Sequence, residues 1–300
     1  MSHHHSHHAG ENGTGRNLIV TMLLNFVITL VEITGGVLSG SLSLISDAVH
    51  NLSDGFAVML TYVTIRMGAR PRTFKYTFGL KRAEVIAAII NSSTLIIISV
   101  FLIKEAIERF NSPEPIAGNV MLIVAIMGLS ANTAGTLLLK KGSKENINIR
   151  AAYLHLLSDA VSSVAVIIGA LSIILFKIYW IDSVLTVCIS LYIIKETFDI
   201  VKESVDIIMM ATPGKIDLNM IKSIVEKIYG VITIHHIHIW KLNDKDLHLE
   251  AHIDVDDMPV SETEAIQEHI ERELYKNFEI NHVTLQFECN RCEEKGIIHK

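Results

Sequence analysis

The chain is poor in the groups that mark several protein classes. Only 19% of its 300 residues are charged while half are hydrophobic, a balance too apolar for an ordinary soluble domain. Its three cysteines form no framework of paired bridges, which argues against an oxidised, disulfide-stapled secreted domain. It has no glycine-rich phosphate loop, so ATP is not the expected energy source. It also lacks a His-Glu-x-x-His pattern, and no organic cofactor or catalytic residue is expected. An enzyme built on zinc would need three ligands, an open position and a nearby base. The start of the chain has no basic stretch leading to a small-residue cleavage site, so no removable signal peptide is expected. The formal net charge of −6 is spread unevenly and says little about partners; no nucleic-acid partner is expected.

What is abundant is apolar length, with a mean hydropathy of +0.39. Six segments, Leu18–Leu38, Leu42–Met67, Ala83–Arg109, Val120–Leu139, Ala151–Phe176 and Ile181–Val201, approach or exceed the ~20 residues that cross a bilayer. The link after the second carries Arg66, Arg70, Arg72, Lys75, Lys81 and Arg82. The link after the fourth carries Lys140, Lys141, Lys144 and Arg150, whereas Ser39-Gly40-Ser41 has no basic residue. Cytoplasmic links collect Lys and Arg, so both termini are expected in the cytoplasm.

After Pro213 the composition becomes that of a small soluble domain. Asp217–Tyr229 has helical periodicity, Ile232–Leu242 and Leu247–Val255 read as strands, and Ser261-Glu262-Thr263-Glu264 reads as a cap opening a helix to Tyr275. His282–Glu288 is the last predicted strand. The expected architecture is a polytopic α-helical membrane protein with four parts. These are a disordered, His-rich cytoplasmic tail over 1–16, six transmembrane helices within 17–208, a ferredoxin-like αββαβ domain over 209–290, and a C-terminal tail over 291–300.

Two short segments carry the chemistry. His50-Asn51-Leu52-Ser53-Asp54 and His155-Leu156-Leu157-Ser158-Asp159 each place His and Asp at i and i+4, on one face of a helix. Ionisable groups at membrane depth cost about 2.5–3.5 kcal/mol each, and two pairs of identical spacing exceed what helix packing requires. Two neutral imidazoles and two carboxylates make a tetrahedral site of charge −2 for Zn²⁺, with Co²⁺ or Cd²⁺ as neighbours. Ligation needs deprotonated His, so metal and protons expel one another. Exposing such a site to alternate sides of a bilayer gives a metal/proton antiporter. The competing reading is a membrane metal sensor that binds zinc without transporting it.

The run from Ser39 to Asp54 resembles the second helix of the cation diffusion facilitators, zinc-transporting branch. Phe78-Gly79-x-x-Arg82-x-Glu84, His155-x-x-x-Asp159 and the stretch from Gly230-Val231 to His235-His236-Ile237-His238-Ile239-Trp240 are similar to that family too. The resemblance spans about residues 17–290. It implies a homodimeric zinc exporter with six helices and zinc/proton exchange at His50, Asp54, His155 and Asp159, and the compact loops point to the cell (inner) membrane, with an organelle membrane the alternative. The resemblance also implies a cytoplasmic metal-binding domain in which His235, His252 and Glu288 match the family's ligands, although Gln286 stands where some members have His; zinc held between two such domains is expected as a regulatory ion. Two departures stand out: Pro71–Thr77 offers Arg72 and Lys75 where some relatives carry ligands, and Lys140–Asn148 has no His.

Secondary signals remain open. Cys289-x-x-Cys292 has metal-type spacing and is either half of a thiolate site or a pair of reduced surface thiols. His248 and His282 are further candidates for the cytoplasmic cluster. Asn25, Glu32 and Asp47 are expected to pack or line a wet cavity rather than ligate. His3, His4, His5, His7 and His8, interrupted by Ser6, form a metal-collecting tail or an added tag.

Overall fold

The computed structural model describes residues 8–68, 71–140, 147–214, 216–243, 246–292 and 295–298. Most of the histidine tail, residues 1–7, lies outside them, as do Arg70, Lys141 and Lys144 of the basic links. Two compact units form: one gathers the chain up to Tyr62 with Ile90–Val201, the other Val63–Ile89 with the chain from Lys202 on.

The first unit is helical. Its elements are α1 (His8–Ser39), α2 (Leu42–Gly68), α3 (Ala83–Asn111), α4 (Gly118–Leu139), α5 (Ile147–Phe176) and α6 (Trp180–Ile208), the ends of α2, α3 and α6 passing into the other unit. Helix α1 starts at His8, ahead of the Leu18 expected from hydropathy. Among the described residues, Ala83–Asn111, Gly118–Leu139 and Tyr153–Phe176 are long and apolar enough to cross a membrane, and Leu23–Ser39 is apolar but shorter. Helices α2 and α6 have the length but carry ionisable residues, among them Asp47, His50 and Asp54 on α2 and Lys195, Glu196 and Asp199 on α6.

Leu44, Met121, Val124, Ala125, Val166, Ala170 and Ile173 knit α2, α4 and α5 into one apolar core. Small residues let backbones approach closely: a Cβ on Gly35 would collide with Cγ2 of Val124. The start of α2 is held by Asp182 of α6, which is 1% exposed. Its carboxylate accepts from Leu42 N at 2.8 Å, Ser43 N at 3.3 Å, Ser41 Oγ at 2.6 Å and Ser43 Oγ at 2.5 Å. An anion there satisfies orphan N–H groups and complements the helix dipole.

The second unit contains α7 (Leu218–Val225), β1 (Thr233–Lys241), β2 (Leu247–Asp254), α8 (Val260–Phe278) and β3 (His282–Glu288). Strand order is β1-β2-β3, with β1 antiparallel and β3 parallel to β2. Ile221, Val225, Ile234, Leu249, Ala251, Ile253, Ile270 and Leu274 make the core between helices and sheet. Asp217 caps α7 by accepting from Asn219 N at 2.9 Å. Helix α8 begins at Val260 behind Pro259, with no side-chain cap, so the Ser261-Glu262-Thr263-Glu264 pattern lies inside the helix instead of capping it.

Candidate functional site

Helices α2 and α5 face each other in antiparallel register, and their two His/Asp pairs meet. His155 Nε2 lies 3.1 Å from Asp54 Oδ2 and 3.5 Å from Asp159 Oδ2. His50 Nε2 lies 3.6 Å from Asp54 Oδ2 and 4.0 Å from Asp159 Oδ1. Ligand atoms of His50, His155 and Asp159 all fall within 4.8 Å of one another. Yet His155 Nε2, Asp54 Oδ2 and Asp159 Oδ2 are buried without a hydrogen-bond partner. Atoms this close but misaligned for hydrogen bonding suit a shared cation better than they suit one another. Exposure is graded along the site: Asp54 and His155 are 33% and 34% exposed, His50 12% and Asp159 3%.

Neighbouring polar residues brace this arrangement. Asn51 Nδ2 donates to Glu32 Oε2 at 2.9 Å, and Ser162 Oγ donates to Asp47 Oδ1 at 2.7 Å. Gly128 leaves the room Glu32 needs, since a Cβ there would sit 2.6 Å from Glu32 Oε1. Asn91 Nδ2 donates to Ser53 Oγ at 3.0 Å.

A second cluster forms on the sheet. His235 on β1 pairs in register with His252 on β2, and Glu288 ends β3. His235 Nε2 approaches Glu288 Oε1 at 2.7 Å, and His252 Nδ1 lies 3.4 Å from Glu288 Oε2. The first pair again fails hydrogen-bond geometry, leaving both atoms buried and orphaned. Cys292 Sγ stands 3.8 Å from His252 Nδ1 and 3.6 Å from Glu288 Oε2. That carboxylate holds the thiol above its usual pKa, so a metal ligated there must displace a proton. Cys289 is exposed and outside the cluster.

His236 joins His235, His252 and Cys292 as a possible ligand, and sequence reasoning missed it. The missed signal was broken alternation. Ile234 and Ile237 both face the core, which a regular strand forbids because its side chains alternate. A bulge between His235 and His238 absorbs the extra residue, with His236 at φ +50°. The chain after β3 then returns to this edge. Asn290 N donates to Asp254 Oδ1 at 2.8 Å, Lys295 pairs with Asp254 Oδ2, and His236 N and Ile237 N donate to Gly296 O and Ile297 O. Burial would raise the Asp254 pKa, but Lys295 and the Asn290 N–H outweigh it and hold the carboxyl below its usual range.

His248 and His282 lie apart from this cluster. Their rings are 4.5 Å apart, Trp240 stacks on His248 at 5.5 Å, and Phe78 from the link before α3 meets it edge-on at 5.7 Å. Lys81 Nζ fastens the same link to Asp246 Oδ2 at 2.7 Å.

Residues 18–209 match the family model for the cation efflux transmembrane domain, and 213–289 that for the cation efflux protein cytoplasmic domain. The chain belongs to the cation efflux family. Its relatives in the family include "Zinc transporter ZitB" of Pectobacterium atrosepticum, 36% identical over 98% of this chain and 91% of the relative. "Cadmium, cobalt and zinc/H(+)-K(+) antiporter" of Bacillus velezensis is 36% identical over 96% of this chain and 92% of the relative. "Metal cation efflux system protein CzcD" of Cupriavidus metallidurans is 33% identical over 97% and 91%. As a cation efflux protein the chain is a membrane transporter with a cytoplasmic domain, not an enzyme.

Proposed function

We propose that this protein exports zinc, with cobalt and cadmium as neighbouring substrates, by exchange for protons at His50, Asp54, His155 and Asp159. The carrying observation is the set of buried, unaligned ligand atoms converging from α2 and α5. Two carboxylates offset the charge of a divalent ion, and the imidazoles must be neutral to ligate. Protons arriving at the site therefore release the metal. The exposure gradient supports access from the Asp54–His155 side, the cytoplasmic side under the positive-inside reading. In this reading all six helices span the inner membrane, both termini are cytoplasmic, and the protein works as a homodimer. His235, His236, His252, Glu288 and Cys292 form a regulatory zinc site in the ferredoxin-like domain, with Cys289 left out. Their orphaned and convergent atoms fit a bound zinc, which would neutralise the cluster and hold the returning chain to the sheet.

The test is zinc uptake into proteoliposomes loaded with a pH-sensitive dye, comparing the parent with Asp159→Ala. Zinc movement opposed by proton movement, and lost in the variant, is the expected result. Zinc binding without flux in the parent would favour a sensor, and flux surviving in the variant would refute the site.

A further inference from the structure

The α2–α5 seam has a third rung beyond the four ligands. Asp47 and Ser162 lie about one turn from His50 and Asp159, toward the Leu42 end of α2 and the Phe176 end of α5. Asp47 is 3% exposed and accepts from Ser162 Oγ at 2.7 Å. Past this rung Leu44, Met121, Val166 and Ala170 seal the helices with apolar packing. Asp182 braces the same end at the start of α2, while Glu32 holds Asn51 at the level of the ligands. The opposite mouth, at Asp54 and His155, is about one-third exposed. An ion can therefore reach the ligands from one side only while the third rung is closed.

We propose that the Ser162–Asp47 hydrogen bond is the exit gate, a bond that must break before the transported cation leaves past Leu44. The inference rests on the transport reading of the four ligands. A buried bond to a carboxylate suits a gate because it is strong when dry and is readily replaced by water or a cation once the seam parts. Ser162 and Asp47 are positioning residues, outside the ligand set.

The experiment uses the full chain in proteoliposomes, with Leu44→Cys as a reporter. Labelling of that cysteine by a membrane-impermeant maleimide, applied from the Leu42 side, is read at that residue by mass spectrometry. Ser162→Ala is expected to raise the labelling rate about tenfold, the factor set by losing one buried hydrogen bond. Ser162→Thr, which keeps the hydroxyl, should restore the parent rate. The KM for zinc at the other mouth should stay within about twofold, because no ligand is touched. Asp47→Asn, which keeps the shape but weakens the acceptor, should give a smaller rise. Parent-like labelling in both Ser162→Ala and Asp47→Asn overturns the gate, as does a threonine that fails to restore closure. If flux is also lost in Asp159→Ala, only the gate has failed; if flux survives there, the transport reading has failed first.

Discussion

In the helical unit, four candidate ligands come from two i, i+4 pairs on two helices; in the sheet, five come from the strands, a strand bulge and a returning chain end. The side chains are nearly the same. The helix pairs are fixed by local geometry, since one turn brings residues four apart to one face. The sheet cluster needs long-range closure, because Cys292 reaches His252 only after the chain has turned back beside Asp254. A site built from two helix-borne pairs and graded in exposure suits an ion that passes through. A site closed by a returning segment suits an ion that stays and reports.

The sharpest way to break this contrast is to remove one candidate ligand of the membrane site. Asp159→Ala or His50→Ala should lower zinc flux by about a hundredfold or more in proteoliposomes, beyond the usual cost of losing an outer-shell partner. Zinc bound at the sheet cluster, counted by calorimetry, should be unchanged. If either variant loses both, the two clusters are not independent. Next in size, His235→Ala should weaken zinc binding at the sheet by about tenfold or more, with flux changed only in its dependence on cytoplasmic zinc. Cys292→Ser should do the same to a lesser degree, and Cys289→Ser should change neither, because that thiol is exposed and outside the cluster. An equal effect from both cysteines would mean the chain end is placed differently when zinc is bound.

A smaller effect concerns the link before α3. Burial, together with His282, Lys81 and Arg72, holds the His248 imidazole below its ordinary 6.5 against the pull of Asp246. A depressed histidine pKa means that the unfolded chain binds the proton more readily. The packing it supports is complete above about pH 6.5 and is lost as pH falls through the lowered folded value. Amide exchange in residues 71–82 should therefore rise on acidification below about pH 6.5. The substitution His248→Phe, which keeps an aromatic ring but removes the titrating group, should flatten that dependence; an unchanged profile would assign it elsewhere.

Legibility followed the range of the interaction. The pairs His50/Asp54 and His155/Asp159 could be read directly, because spacing along one helix is a property of the chain itself. Strands β1, β2 and β3 were legible to within about two residues at their ends, β2 from its alternation. The β1 bulge was not foreseen, although Ile234 and Ile237 straddling two histidines already broke the strand period. The cap of α8 was misread because Ser261-Glu262-Thr263-Glu264 fits a local motif, whereas the helix already starts at Val260, directly behind Pro259. Nothing in the spacing of Cys289 and Cys292 indicated which would face the histidines.

By itself, the sequence determined the apolar helices, the two His/Asp-bearing helix faces and the strands of the small sheet, each a property of composition or periodicity within one element. Tertiary structure alone decided that the two faces meet, that Asp47 closes on Ser162, and that His236 and Cys292 complete the second cluster. The physical reason is that convergence of buried polar atoms depends on register between elements. Register is set by packing volumes, bulges and chain reversals, and no single segment encodes those.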